Sequence, residues 1–259
     1  MLRDNEQHHI LVTGTSGSIG AALARELRGR WPSARMTLLD IDESRSRALA
    51  AELGGDVEVE RCDLAQPGQI PSLIERARDR FGPVYGLVNC AGFMEVRRFE
   101  GLAWERAEAL LDVDLVSPLR LMHAVVPDML SAGGGFIVNV ASMAGKVTLP
   151  GCAFYCAAKG GLAMASEIAH RELRGRGVDV VTVYPGPVHS ELESRARDQY
   201  GRTLMTRLIP TGEPDELARR VTAALASRRA RVVYPAAYAV GLTALASPIA
   251  LAIGPTARD

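Results

Sequence analysis

Seven short aliphatic runs, separated by helix-like stretches, constrain this chain more than any other feature. Ile10–Thr13, Met36–Asp40, Val57–Cys62, Gly86–Asn89, Phe136–Val140, Val178–Tyr184 and Arg231–Tyr234 are mostly β-branched or aliphatic and end in turn residues. Runs of that kind suit strands covered on both faces. Between them the sequence predicts helices over Ile19–Arg30, Ser44–Leu53, Gln69–Phe81, Leu102–Ser131, Ala153–Arg174 and Pro214–Ser227. Strand–helix alternation with short connections predicts an α/β protein built on a doubly wound parallel sheet. The 259 residues, 47% apolar and 23% charged, suit one large domain with a sizeable core. No repeat or linker divides residues 1–259, so a single domain is expected.

Two stretches interrupt the alternation. Residues 188–211 are rich in Arg, Glu and Leu and follow the sixth run, at the sheet edge where open α/β sheets bind ligands. They are read as a substrate lid, with an inert insertion as the alternative. The tail, 236–259, is uncharged from Ala236 to Gly254 but Ala-rich and broken by Gly241, Pro248 and Gly254. Packing on a neighbouring subunit is the preferred reading, then peripheral membrane contact, with a true membrane span last.

The formal net charge is zero, which argues against a nucleic-acid partner. Cys62, Cys90, Cys152 and Cys156 form no CxxC pair, and Met1–His9 is polar rather than leader-like. Reduced thiols in a cytoplasmic protein are therefore expected, with no metal site.

Thr13-Gly14-Thr15-Ser16-Gly17-Ser18-Ile19-Gly20 joins the first strand to the first helix. Glycines there let backbone N–H groups approach a pyrophosphate at a helix N-terminus. A turn that only packs helix on strand has a similar composition, so its position carries the weight. Gly14, Ser16, Ser18, Ile19 and Gly20 are the candidate phosphate-side residues. Asp40 closes the second strand, where a carboxylate accepts from both adenosine ribose hydroxyls and repels a 2′-phosphate. NAD is therefore expected over NADP, with Arg45 the nearby group that argues otherwise. Asp63 is a candidate for the adenine amino group, or a cap of its own loop. Asn89, Ala91 and Gly92, in Asn89-Cys90-Ala91-Gly92, let the fourth strand's end lie along the cofactor.

Tyr155 and Lys159 stand four apart, on one helix face, thirteen residues after Ser142. A free phenol ionises near ~10, and a neighbouring ammonium favours the phenolate and lowers that value. Lys159 can also donate to a nicotinamide ribose. Ser142 can polarise a carbonyl or orient an alcohol.

These pieces together resemble the short-chain dehydrogenase/reductase family over nearly the whole chain. The matching stretches are TGTSGSIG at 13–20, Asp63, NCAG at 89–92, Ser142, YCAAK at 155–159 and YPGPVHS at 184–190. The resemblance implies a Rossmann-type seven-stranded sheet in the order 3-2-1-4-5-6-7, a catalytic Ser142, Tyr155 and Lys159, and a homodimer or homotetramer. It places Pro185, Gly186, Val188 and Ser190 against the nicotinamide half of the cofactor. One position departs: Asp114, in Asp112-Val113-Asp114-Leu115, stands where the family has an Asn that holds a water beside the Lys. An ionised Asp accepts from such a water but cannot donate to it. Its charge also stabilises the lysine and partly offsets the pull on Tyr155.

An oxidoreductase interconverting an alcohol and a ketone or aldehyde with NAD(H) is the leading expectation. A non-catalytic NAD-binding sensor or scaffold, and a membrane-surface lipid reductase, are the alternatives. The expected substrate pocket draws on Phe93, Met94, Ala144, Gly151, Phe154, Val188, Leu192 and Leu204, which suits a hydrophobic substrate.

Overall fold

The computed structural model describes residues 7–200 and 210–238. Most of the proposed tail, and the middle of the proposed lid, lie outside the described residues. Seven parallel strands form one sheet: β1 His9–Thr13, β2 Arg35–Asp40, β3 Val57–Arg61, β4 Val84–Asn89, β5 Gly135–Val140, β6 Val178–Pro185 and β7 Arg231–Tyr234. Their order is β3-β2-β1-β4-β5-β6-β7, the arrangement the family resemblance implied. The sheet therefore reverses direction of growth between β1 and β4, which opens a crevice at the strands' carboxyl ends.

Successive residues of a strand point to opposite faces. Ile10 and Val12 enter one apolar layer with Val138, Val181 and Val183. Leu11 enters the other with Leu87, Ile137 and Val180. Helices cover both layers, which is why the strands read as unbroken apolar runs. Helices α1 (Ser18–Arg30) and α8 (Pro214–Ala226) contribute Leu23, Leu27, Leu217 and Val221 to the first layer. Helices α3 (Ile70–Phe81), α5 (Ser117–Ser131) and α6 (Ala153–Leu173) contribute Leu73, Leu121 and Leu173 to the second. The remaining helices are α2 (Glu43–Leu53), α4 (Trp104–Leu111) and α7 (Glu191–Tyr200).

Local chemistry sets the boundaries. The Asp42 carboxylate caps α2 by accepting from Arg45 N–H at 3.1 Å. Strand β1 gains His9 over the predicted run, because its imidazole is satisfied inside. Nδ1 donates to the Gly82 carbonyl at 2.8 Å, leaving Nε2 to accept from the Thr37 hydroxyl at 2.9 Å.

The predicted helix Leu102–Ser131 is not continuous. It divides into α4, a π-helical turn over Asp112–Val116, and α5. Pro118 explains the break. It has no N–H for the carbonyl four residues back, at Asp114, and its ring crowds that carbonyl. The helix widens to accommodate it, and Ser117 N–H bonds the Asp112 carbonyl instead. Among the described residues no helix is long and apolar enough to cross a membrane.

Candidate active site

The carboxyl ends of β1, β2, β4, β5 and β6 surround a cleft of about 1130 Å³. On its nucleotide side lie the glycine turn, Asp40 and Asp63. On the other side lie Ser142, Tyr155, Lys159 and the Pro185–Ser190 stretch.

Gly14 has a left-handed φ of +74, and a Cβ there would stand 2.6 Å from Ala91 N. Only glycine lets the turn lie against the end of β4 so closely. Thr13 fastens the same junction, its hydroxyl oxygen accepting from Cys90 N–H at 3.0 Å and Ala91 N–H at 3.1 Å. The sequence reading passed over that contact. Asp40 is buried, and its two oxygens accept from Ser16 N–H at 2.8 Å and Asp42 N–H at 2.9 Å. The carboxylate is thereby fixed at the cleft wall. Asp63 faces the cleft while capping its own loop, accepting from Ala65 N–H at 3.0 Å. Arg45 also lines the cleft, where its guanidinium donates to Glu191 Oε1 at 2.9 Å and lies 3.4 Å from Asp42. Asn89 does not line the cleft. Its side chain is buried within the sheet and donates to Asn139 Oδ1 at 2.8 Å.

On the chemical side, α6 carries Tyr155 and Lys159 on one face, both almost wholly buried at 7% and 4% exposure. Ser142, two residues beyond β5, places its hydroxyl beside that of Tyr155. Ser142 Oγ also accepts from Ala144 N–H at 3.1 Å, which orients it. The Lys159 ammonium lies 5.9 Å from the Tyr155 ring centre and donates to the Val140 carbonyl at 3.1 Å. Asp114 does not line the cleft but lies behind it, with Oδ1 2.8 Å from Lys159 Nζ and no solvent exposure. Its Oδ2 accepts from Phe93 N–H at 3.3 Å.

The electrostatics differ from the sequence expectation in one respect. Lys159 does favour the Tyr155 phenolate, but burial outweighs it, and Asp114 works against it too. The phenol is pushed up to about 12 rather than below its ordinary value. Burial opposes the Lys159 charge, yet Asp114 and Tyr155 together hold the ammonium above its usual range.

Phe93, Met94, Ala144, Val188 and Leu192 of the expected substrate pocket line the cleft. Gly151 and Phe154 do not; Phe154 stacks on Phe99 with ring centres 5.3 Å apart. Leu204 is outside the described residues. The proposed lid supplies α7, whose Leu192, Glu193 and Arg197 face the cleft. Pro187 and His189 are bonded to Gly212 through backbone contacts of 2.9 and 3.0 Å. The Ser18 hydroxyl donates to the His189 carbonyl at 3.0 Å, linking this segment to the glycine turn.

A glycine cradle at the first strand–helix junction, a fixed carboxylate at the second strand and a hydroxyl pair beside a lysine define a dinucleotide-dependent oxidoreductase. The chain belongs to the short-chain dehydrogenase family, whose sequence pattern it matches over residues 8–201. A D-threitol dehydrogenase of Mycolicibacterium smegmatis is 37% identical over 80% of this chain and 82% of its own. A cyclohexanol dehydrogenase of Acinetobacter sp. is 31% identical over 89% of this chain and 92% of its own. A short-chain dehydrogenase from Sphingobium yanoikuyae, solved with NADPH, superposes with a TM-score of 0.80 at 29% identity, covering 92% of each chain. The protein is an NAD(P)-dependent oxidoreductase acting on CH–OH groups.

Proposed function

We propose that the protein interconverts a hydrophobic alcohol and its ketone or aldehyde with NAD(H), through Ser142, Tyr155 and Lys159. The neighbouring hydroxyls of Ser142 and Tyr155 at the cleft wall, with Lys159 on the same helix face as Tyr155, carry this reading. A bound nicotinamide supplies or removes the hydride. Tyr155 gives its proton to the carbonyl oxygen in reduction and takes one from the alcohol in oxidation. Ser142 holds that oxygen. Lys159 keeps its charge beside Tyr155 and presents a donor to a ribose hydroxyl. Asp114 anchors Lys159 from behind.

Cofactor preference rests on Asp40. Its carboxylate is held at the cleft wall, where a 2′-phosphate would meet a like charge, and Arg45 is turned toward Glu191. The Sphingobium relative's NADPH argues the other way, so this choice needs its own test. Phe93, Met94, Ala144 and Leu192 favour an apolar substrate. The Glu193–Arg197 ion pair, which also lines the cleft, favours a second reading, a polyol with polar groups at its outer end.

We further assign the described residues to one catalytic domain, in a cytoplasmic homo-oligomer. Four free thiols and the exposed Met164 and Ile168, one turn apart on α6, support that assignment.

Tyr155→Phe tests the mechanism. Turnover with secondary alcohols and ketones falls by about 10²–10⁴-fold, the usual worth of a general acid–base group. NADH binding, followed by its fluorescence, stays within a few-fold. Turnover like that of the parent enzyme would reject the mechanism.

A further inference from the structure

The Asp114–Lys159 pair sits closer to the reacting phenol than any other charged pair described. All three groups are withdrawn from water: Asp114 has no exposure, Lys159 4% and Tyr155 7%. Screening by solvent is therefore weak, and the charges beside Tyr155 act on it at close to full strength.

Three local features hold the aspartate where it is. The π-helical turn, forced by Pro118, swings residues 112–116 out of α-helical register. Gly92 leaves the space the carboxylate occupies, since a Cβ there would stand 2.3 Å from Asp114 Oδ1 and 3.1 Å from Lys159 Nζ. Phe93 N–H fixes the second oxygen at 3.3 Å. Oδ1 lies 2.8 Å from Lys159 Nζ, which pairs the two charges directly.

The consequence follows from elementary electrostatics. A lone ammonium is a monopole, and its pull on a phenolate falls as the inverse of distance. An ammonium with a carboxylate in contact behaves as a short dipole, and its pull falls much faster. The titratable and charged groups facing Tyr155 are Lys159 from α6, Cys152 just before that helix, and Asp114 from the π-helical turn. The Ser142 hydroxyl approaches from the end of β5. Lys159 additionally faces Cys90, at the end of β4. Of these groups, only Lys159 is a cation.

We propose that Asp114 is a positioning residue that offsets part of the Lys159 field at Tyr155 and so raises the pH at which the phenolate forms, moving the onset of alcohol oxidation to more alkaline pH while leaving the phenol in place for carbonyl reduction. The proposal rests on the assignment of Tyr155 as the proton donor. Reduction adds a hydride to the carbonyl carbon, with the nicotinamide oxidised in exchange, and a proton to the oxygen from the Tyr155 O–H. The phenolate left behind is reprotonated from solvent. Oxidation needs that phenolate at the outset, so it waits for pH to rise. The overall equilibrium is unchanged. What Asp114 moves is the pH at which each direction reaches its full rate. The upward push on the phenol, in which burial leads and Asp114 shares, agrees with this geometry.

The test compares the full-length protein with Asp114→Asn, each alongside a counterpart that also carries Tyr155→Phe. The growth of the ultraviolet phenolate band with pH is recorded for all four. Subtracting the spectra of the Tyr155→Phe counterparts isolates the ionisation of Tyr155 without any need for turnover. The expected result is that Asp114→Asn brings the phenolate in at least about one pH unit lower, a tenfold change in its ionisation constant. The pH of half-maximal alcohol oxidation falls in step. Asp114→Ser, neutral and smaller, shifts the band in the same direction and serves if the amide variant does not fold. An unchanged or raised midpoint in the neutral variants would overturn the proposal, and an Asp114 already protonated in the parent enzyme would give that result. Absence of turnover in every form, with the midpoint still lowered, would count against the assigned reaction and not against the role of Asp114.

Discussion

The Ser16 backbone N–H donates to the Asp40 carboxylate at 2.8 Å, so the glycine turn and the end of β2 form one rigid wall of the cleft. A second N–H, from Asp42, holds the other oxygen at 2.9 Å. The carboxylate cannot swing aside to admit a further anion without losing both bonds. Like charges brought together at a binding site cost several kcal/mol, and each 1.4 kcal/mol is tenfold. Asp40→Asn keeps an acceptor and removes the charge. The ratio of kcat/KM with NADP to that with NAD then rises by about 10–100-fold. A ratio equal to the parent's in steady-state assays would remove Asp40 as the selector.

Asn139 is the centre of a buried polar ladder across three strands. It accepts from Asn89 at 2.8 Å and donates to Ser166 Oγ at 3.0 Å, and Thr182 donates to the same Ser166 oxygen at 2.7 Å. Asn139→Ala leaves the Asn89 amide only its long 3.4 Å bond to the Pro118 carbonyl and takes the Asn139 donor from Ser166. Each buried group left without a partner costs about 1–3 kcal/mol. For a chain of this size, each kcal/mol lowers Tm by about 2–4 °C. Thermal melting of the variant is expected to start several degrees below the parent, and coincident melts would show that water restores the ladder.

His9 makes stability depend on acid. Burial holds its pKa below the ordinary value, with Arg35 adding to the effect and the Gly82 carbonyl opposing it. In the unfolded chain the imidazole binds a proton near pH ~6.5, so below that value the unfolded state takes up more protons than the folded one. Stability from His9 is complete above about pH 6.5 and is lost as pH falls toward the folded value. His9→Gln cannot be protonated and flattens that slope. Urea midpoints measured between pH 7 and pH 5 check this, with parallel slopes in the two proteins as the contrary outcome.

Much of this architecture was legible in the sequence because both faces of the sheet are covered. Ile10, Leu11 and Val12 need apolar neighbours on alternate sides, and an unbroken aliphatic run records that need directly. Tyr155, Lys159 and Ser142 were legible as a set because helix periodicity and strand ends fix where they meet. Other features depend on contacts that spacing does not encode. The partner that Arg45 finds, Glu191, lies in a distant helix, and no local spacing announces it. The π-helical turn had a local sign in Pro118, which a reading for apolar periodicity passes over. The state of the Tyr155 phenol depends on how completely it is buried. The i, i+4 rule supplies its neighbour but says nothing about that burial.

The contacts of Pro187 and His189 with Gly212 act as a brace across the base of the α7 excursion. One foot follows β6 and the other precedes α8, so the two ends of the excursion are held together independently of the pairing of β6 with β7. A scaffold braced in this way separates the choice of guest from the integrity of the host.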